Sequence, residues 1–279
     1  MIIDFHTHIL PPFLKKERDL YIHKDRTLAT LFSNPSARIV TAEELIAKMD
    51  STNIDKSVVL GFGWTNLELG QRLNDYLIES ASRYSNRLIP FCSISPTWGD
   101  AAIREVERCA NMGARGIGEL HPDTQGFNLS VDTVLDDIMD IARQKDLIIL
   151  SHTSEPVGRN YPGKGMTKPE VTLRLIERYP DVQIVCAHWG GGLPFYNLMP
   201  EVSKSLGHCY FDSAASPFIY NANVFSVTTQ LVGSERILFG SDYPLLNPSQ
   251  IIRQIEAQPL EDREKRAILG GNAIRLLRI

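Results

Sequence analysis

Eight short runs of this 279-residue chain are almost continuously apolar and rich in β-branched residues: 1–5, 57–61, 88–93, 115–118, 147–150, 183–187, 209–212 and 236–239. None alternates apolar with polar residues as a half-wetted strand does. Strands buried on both faces of a parallel sheet read this way. Between them lie longer stretches with apolar residues three and four apart, at 42–49, 67–83, 100–112, 131–144, 169–178 and 223–232, the spacing of amphipathic helices. Thr41 followed by Glu44 makes a capping box for the first, Gly113 is placed to stop the third, and Asn247-Pro248 starts a further helix. Stretches 261–269 and 272–277 close the chain. Eight strand-and-helix units predict an α/β fold of the (β/α)8 TIM-barrel kind. A doubly wound sheet is the competitor, but its first turn is glycine-rich, and here that turn reads His6-Thr7-His8-Ile9-Leu10-Pro11. With no linker or repeat in the sequence, a single domain over 1–279 is expected.

The charge balance, 29 Lys+Arg against 33 Asp+Glu for a net −4, argues against a nucleic-acid partner, which calls for a basic face. No apolar run approaches the ~18 residues of a membrane span. The opening residues carry Asp4 and no basic segment, unlike a signal peptide. Cys92, Cys109, Cys186 and Cys209 show no paired spacing and read as buried free thiols. These features together predict a cytoplasmic protein acting on a small molecule. A homodimer is left open.

The polar residues that follow the apolar runs are the informative ones. His6 and His8 close the first run, and a period of two puts both on one face with Thr7 on the other. Glu119 closes the fourth, His152 the fifth, His188 the sixth and Asp242 the eighth. In a barrel these ends converge on one mouth, where active sites are built. Imidazole and carboxylate are the ligands of Zn²⁺, Mn²⁺ and Fe²⁺, and a buried cluster of them is costly without a metal or full partners. Two long segments, 9–39 and 154–168, also follow strands and flank the same mouth. In the second, Arg159, Tyr161 and Lys164 are candidates to clamp an anionic group. His121 is a candidate substrate contact, and Trp64, Trp98 and Trp189 either wall the pocket or pack beneath loops. Residues 195–199 and 218–220 are pocket or interface. Gly190-Gly191-Gly192 lacks the Lys-Ser/Thr of a phosphate loop and is read as a place of close backbone approach. There is no Gly-x-Ser-x-Gly elbow.

Asp4-Phe5-His6-Thr7-His8-Ile9-Leu10-Pro11, the His152 and His188 strand ends and Phe239-Gly240-Ser241-Asp242-Tyr243-Pro244 together resemble the amidohydrolase superfamily. Within it they resemble the amidohydrolase-2 branch, which holds the aminocarboxymuconate-semialdehyde decarboxylase-like enzymes. The resemblance runs from Ile3 to the closing Gly271-Asn272-Ala273-Ile274-Arg275-Leu276-Leu277. It implies a (β/α)8 fold and a divalent metal, usually zinc, with manganese or iron as alternatives. By that likeness His6, His8, His152 and Asp242 are metal ligands and His188 is a catalytic residue beside them. Glu119 stays open between a ligand, which brings a second ion, and a carboxylate that orients a histidine. The expected activity is metal-dependent hydrolysis of an ester, lactone or amide in a small anionic substrate. Asp242 takes the proton of a metal-activated water, and His188 stabilises the oxyanion. The alternative is metal-dependent, non-oxidative decarboxylation by the same constellation, and a third reading is a non-catalytic metal-binding module. A ligand role for Glu119 favours hydrolysis.

Overall fold

The apolar runs form eight strands in the computed structural model, which describes residues 1–130 and 133–279. They are β1 (Ile3–His8), β2 (Lys56–Leu60), β3 (Leu88–Cys92), β4 (Gly116–Leu120), β5 (Ile148–Ser151), β6 (Ile184–Cys186), β7 (Cys209–Asp212) and β8 (Ile237–Leu238). All neighbours pair in parallel, in chain order from β1 to β8. The seam between first and last strand is sewn by main-chain bonds: Phe5 N–H to Phe239 O at 2.7 Å, Asp242 N–H to His6 O at 2.9 Å and His8 N–H to Tyr243 O at 2.8 Å. Helices α1 (Ala42–Thr52), α2 (Leu67–Arg83), α3 (Asp100–Asn111), α4 (Asp136–Gln144), α5 (Pro169–Arg178), α6 (Pro200–Ser205), α7 (Val224–Val232) and α8 (Pro248–Glu256) alternate with the strands. The (β/α)8 barrel read from the sequence is the fold observed.

Two apolar layers explain why the strand sequences do not alternate. Val58 and Leu60 of β2 face the lumen with Phe5, Phe91, Leu150 and Leu238. Val59 between them faces outward with Ile117, Ile149 and Phe211, against Leu45, Leu77, Val106 and Leu175 of the helices. Each fully buried Val, Leu, Ile or Phe contributes roughly 1.5–3 kcal/mol, so a polar residue in either layer is penalised. The last helix, α9 (Asn272–Leu277), sends Ala273, Leu276 and Leu277 into the lumen cluster.

The alternation slips at two places. Between Asp4 and Thr7, β1 advances three residues against two on β2, from Ser57 to Val59. β4 does the same between Ile117 and Leu120 against Ile149 and Ser151. Such bulges re-aim side chains and gather beside active sites. They let the lumen face of β1 change from apolar Phe5 to His6 without an intervening outward residue. Both strands also outrun their apolar stretches, because main-chain bonding continues after the sequence turns polar.

Helices α2 and α5 have the extents expected, and α1 opens on its capping box and runs on to Thr52. The expected helix 131–144 begins on Val131 and Asp132, which lie outside the described residues, and α4 starts at Asp136. Segment 9–39 holds three short helices, Pro12–Lys16, Arg18–Ile22 and Arg26–Phe32. Asp25 caps the third through Leu28 N–H and also accepts from Thr65 and Asn66 N–H ahead of α2. The four cysteines are free and buried. Among the described residues no helix is long and apolar enough to cross a membrane.

Candidate active site

β1, β4 and the segments just after β5, β6 and β8 bring six ionisable residues to one end of the barrel, each at least nine-tenths buried. Glu119 lies at the centre. Its Oε1 is 3.0 Å from His152 Nδ1 and 3.2 Å from His188 Nε2, and its Oε2 is 3.8 Å from the Nε2 atoms of both His6 and His8. Asp242 Oδ1 is 3.4 Å from His8 Nε2 and 3.8 Å from His6 Nε2. Two imidazole pairs face each other nitrogen to nitrogen, His6 with His8 and His152 with His188, each at 3.1 Å. Among the described residues, three sets of donor atoms lie within 4.8 Å of one another: His6–His8–Glu119, His6–His188–Asp242 and Glu119–His152–His188. Facing lone pairs need a shared proton or a cation between them, and a mixed imidazole–carboxylate set suits a divalent transition ion.

The backbone after β6 explains the glycine triplet. His188 (φ 55°) and Trp189 (φ 59°) are followed by Gly190, Gly191 and Gly192, all with positive φ. This left-handed run turns the chain sharply across the barrel mouth. A β-carbon on Gly191 would sit 2.5 Å from Ser154 O, so close approach is what the triplet allows. Left-handed backbone at a non-glycine residue costs about 1–2 kcal/mol. Strain of this kind concentrates at functional sites.

Burial disfavours charge on His6, His188, Asp242 and Glu119, and mutual attraction outweighs it. His6 is raised to about 9 by Asp212 and Glu119 against the cost of burial. His188 is raised to about 10 against the same cost, by its hydrogen bond to Glu119 and the charge beside it. Asp242 is drawn down to about 2, against burial, by its hydrogen bond from His8 and the charge of His6. Glu119 is held well below the usual carboxylate range, against burial, by His6, His152 and His188. Glu119 and Asp242 are therefore ionised beside cationic His6 and His188 at neutral pH.

A cavity of about 540 Å³ opens above the cluster, with His8, Glu119, His152, His188 and Asp242 on its floor. That volume suits a small organic ligand. Phe62 stacks on His8 at 3.7 Å between ring centres. Arg159 lies over Phe218 at 5.5 Å, and Arg38 lies over Tyr243 at 5.8 Å. Both arginines line the cavity, as do Tyr161 and His121. His121 stacks face to face on His152 at 4.2 Å. Neither of its ring nitrogens has a hydrogen-bond partner, and burial together with the charge of His152 pushes it down to about 3, keeping the ring neutral.

A family model described as amidohydrolase matches residues 3–279. The chain belongs to the amidohydrolase family. It is 23% identical to the 2-amino-3-carboxymuconate-6-semialdehyde decarboxylase of Dictyostelium discoideum, over 99% of this chain and 91% of that one. It is 21% identical to a gamma-resorcylate decarboxylase of Polaromonas, over 76% and 77% of the two chains. The barrel also superposes on two solved 5-carboxyvanillate decarboxylases. That of Sphingomonas paucimobilis gives a TM-score of 0.81 at 17% identity, over 100% of this chain and 99% of that one. That of Novosphingobium aromaticivorans, solved with manganese, gives 0.80 at 19% identity, over 100% and 96%.

Most residues singled out from the sequence meet at this amidohydrolase cavity, and Trp64, Lys164, Trp98 and Trp189 do not line it. Trp64 is fully buried in a separate apolar cluster with Leu10, Leu14 and Leu28. Gly63, at φ 63°, turns the chain there, and Phe62 takes the wall position. Lys164 points back into its own loop, donating to Val157 O at 2.8 Å and Arg159 O at 3.1 Å, so it shapes the loop and does not line the cavity. Trp98 and Trp189 pack as well, donating to Thr65 O and Ser216 Oγ. Phe218 and Ile219 are cavity wall, while Phe195 and Tyr196 line an adjoining groove. Arg38 and Phe62 were not singled out, since nothing in segment 9–39 or after β2 marks them. Asp212 was also passed over, although it ends an apolar run as the other cluster residues do.

Proposed function

We propose that this chain is a metal-dependent, non-oxidative decarboxylase of a small carboxylic acid. The observation that carries the reading is a buried imidazole–carboxylate floor beneath a cavity whose walls hold two arginines, Arg38 and Arg159. The reactions named for the relatives support it, and on that ground decarboxylation replaces the hydrolysis expected from the sequence. His6, His8, Asp242 and Glu119 are the residues to hold the ion, with His152 on the far side of Glu119. When bound, the metal supplies a positive charge that orients a substrate oxygen and withdraws electrons from the bond to be broken. Manganese takes precedence over zinc, because three solved neighbouring structures carry it.

The residues of the chain account for the rest. Arg38 and Arg159 draw in the anionic substrate, and Phe62 and Phe218 offer flat apolar faces to its carbon skeleton. The bond from carbon to carboxylate breaks, its electron pair stays on the carbon, carbon dioxide leaves and a proton replaces it. His188, protonated at neutral pH, holds that proton at Nε2, gives it to the vacated carbon and takes another from solvent, while the ionised carboxylate of Asp242 stabilises the imidazolium. The test is to incubate manganese-loaded protein in deuterated water with 2,6-dihydroxybenzoate, 5-carboxyvanillate and aminocarboxymuconate semialdehyde. Carbon dioxide release with deuterium at the vacated carbon is expected. Turnover of esters or lactones with none of these acids would overturn the reading.

One observation favours two-metal hydrolysis as a second reading: the two oxygens of Glu119 face two separate imidazole pairs, His6/His8 and His152/His188. Metal content separates the two readings, at one ion per chain for the first and two for the second.

A further inference from the structure

Asp212 ends β7, a strand that sends nothing else to the cluster, and it is fully buried. Its Oδ2 lies 2.8 Å from His6 Nδ1. Its Oδ1 accepts from the backbone N–H of His188 and of Ala214, both at 3.0 Å. Ala214 in turn offers its carbonyl to His188 Nδ1 at 3.2 Å. One carboxylate thus holds the ring of one cluster histidine and the left-handed backbone of another.

The chemistry of the contact fixes where a proton sits. An ionised carboxylate only accepts hydrogen bonds, so the hydrogen in the 2.8 Å contact belongs to His6 Nδ1. In the neutral ring this leaves the lone pair on Nε2, the atom turned to His8 and Glu119. His8 and His188 follow the same rule, each directing Nδ1 at a main-chain carbonyl, Leu60 O at 3.3 Å and Ala214 O at 3.2 Å. Of these three, His6 relies on a side chain for it, that of Asp212.

We infer that Asp212 is a positioning residue, which sets the His6 tautomer that presents Nε2 to a metal and anchors the turn that presents His188. The inference rests on the metal reading given above. Outer carboxylates of this kind typically change metal affinity about 10–100-fold when altered.

Asp212→Asn tests it with little change of shape. The amide oxygen can still accept from His188 N–H, which leaves the amide NH₂ facing His6 Nδ1 and drives the proton to Nε2. Nitrogen NMR of metal-free, ¹⁵N-histidine-labelled protein at alkaline pH, where the His6 ring is neutral, reads the tautomer, with His6 assigned by its loss in His6→Asn. The expected result is Nδ1–H in the wild type, Nε2–H in Asp212→Asn, and manganese affinity lowered about 10–100-fold by competition with a chromogenic chelator. An Nε2–H tautomer in the wild type overturns the inference even if the variant fails to fold. Equal manganese affinity with an unchanged tautomer overturns it alone and leaves the metal reading standing. Wild-type protein that takes up no manganese overturns both.

Discussion

Glu105 on α3 and Glu119 on β4 are exposed to 1% and 3%, and each has its carboxyl held below the usual range. Their partners differ in kind. Glu105 faces Arg108, whose guanidinium grips it with Nε and Nη2 at 2.8 Å each, and Asn74 Nδ2 at 2.7 Å. Asn74 also pairs with the main chain of Ser93 through both ends of its amide, so α2, α3 and the end of β3 are bolted together. Arginine stays charged at every accessible pH, and this carboxylate carries its counter-charge with it. Glu119 has no arginine or lysine, only imidazoles whose charge depends on a proton. The frame closes its own charge balance, whereas the site leaves a place that either protons or an external cation can fill.

That difference can be broken experimentally, beginning where the effect is greatest. Glu119→Gln removes a carboxylate that holds the ion, so it should lower decarboxylation by about 100-fold or more and should abolish any manganese-induced rise in melting temperature. Unchanged turnover would remove Glu119 from the centre of the site. In the wild type, manganese at a hundred times its dissociation constant should add about 2.7 kcal/mol, seen as a melting shift that a chelator reverses. Glu105→Gln should keep that shift in full.

The Glu105→Gln protein should itself be destabilised by about 1–3 kcal/mol at neutral pH, through lost partners for Arg108 and Asn74. Because the folded carboxyl is depressed, its contribution is complete above the ordinary carboxylate range and is lost as pH falls through the folded value. The stability gap between wild type and Glu105→Gln should therefore narrow in acid, as urea unfolding across pH will show. A gap that widens would mean Glu105 is not held ionised by Arg108. Smallest is the mouth: Arg159→Met should raise KM about tenfold, or about 1.4 kcal/mol, with kcat nearly unchanged. A loss confined to kcat would place Arg159 in the chemistry and not in substrate capture.

Polar residues at strand ends stood out because both faces of each strand are apolar, so His152 or His188 after such a run has no ordinary place in a core. This made His6, His8, Glu119 and Asp242 visible as well. Where β1 and β4 stop was not visible, because the hydrophobic pattern ends at Phe5 and Gly118 while the ladder of hydrogen bonds continues through His8 and Leu120. Bulges leave no periodic trace for the same reason. Position along the chain could not decide between the two places open to Trp64, since one left-handed residue, Gly63, reverses what faces the cavity. Arg38 arrives from three short helices whose sequence announces neither their ends nor their direction. Hydrolysis and decarboxylation draw on one set of donors, so the donors alone could not choose between them.

The segment between β1 and α1 contributes Leu31, Phe32 and Arg38 to the cavity wall and no member of the three donor sets. It is fastened elsewhere, through Asp25 to the chain ahead of α2 and through Arg26 and Thr27 to Thr124. Reagent and selector are thus on separately mutable pieces of one chain. Descendants of this protein can change what they admit by rewriting a stretch that the barrel does not need for closure, while the ionisable floor passes down unaltered.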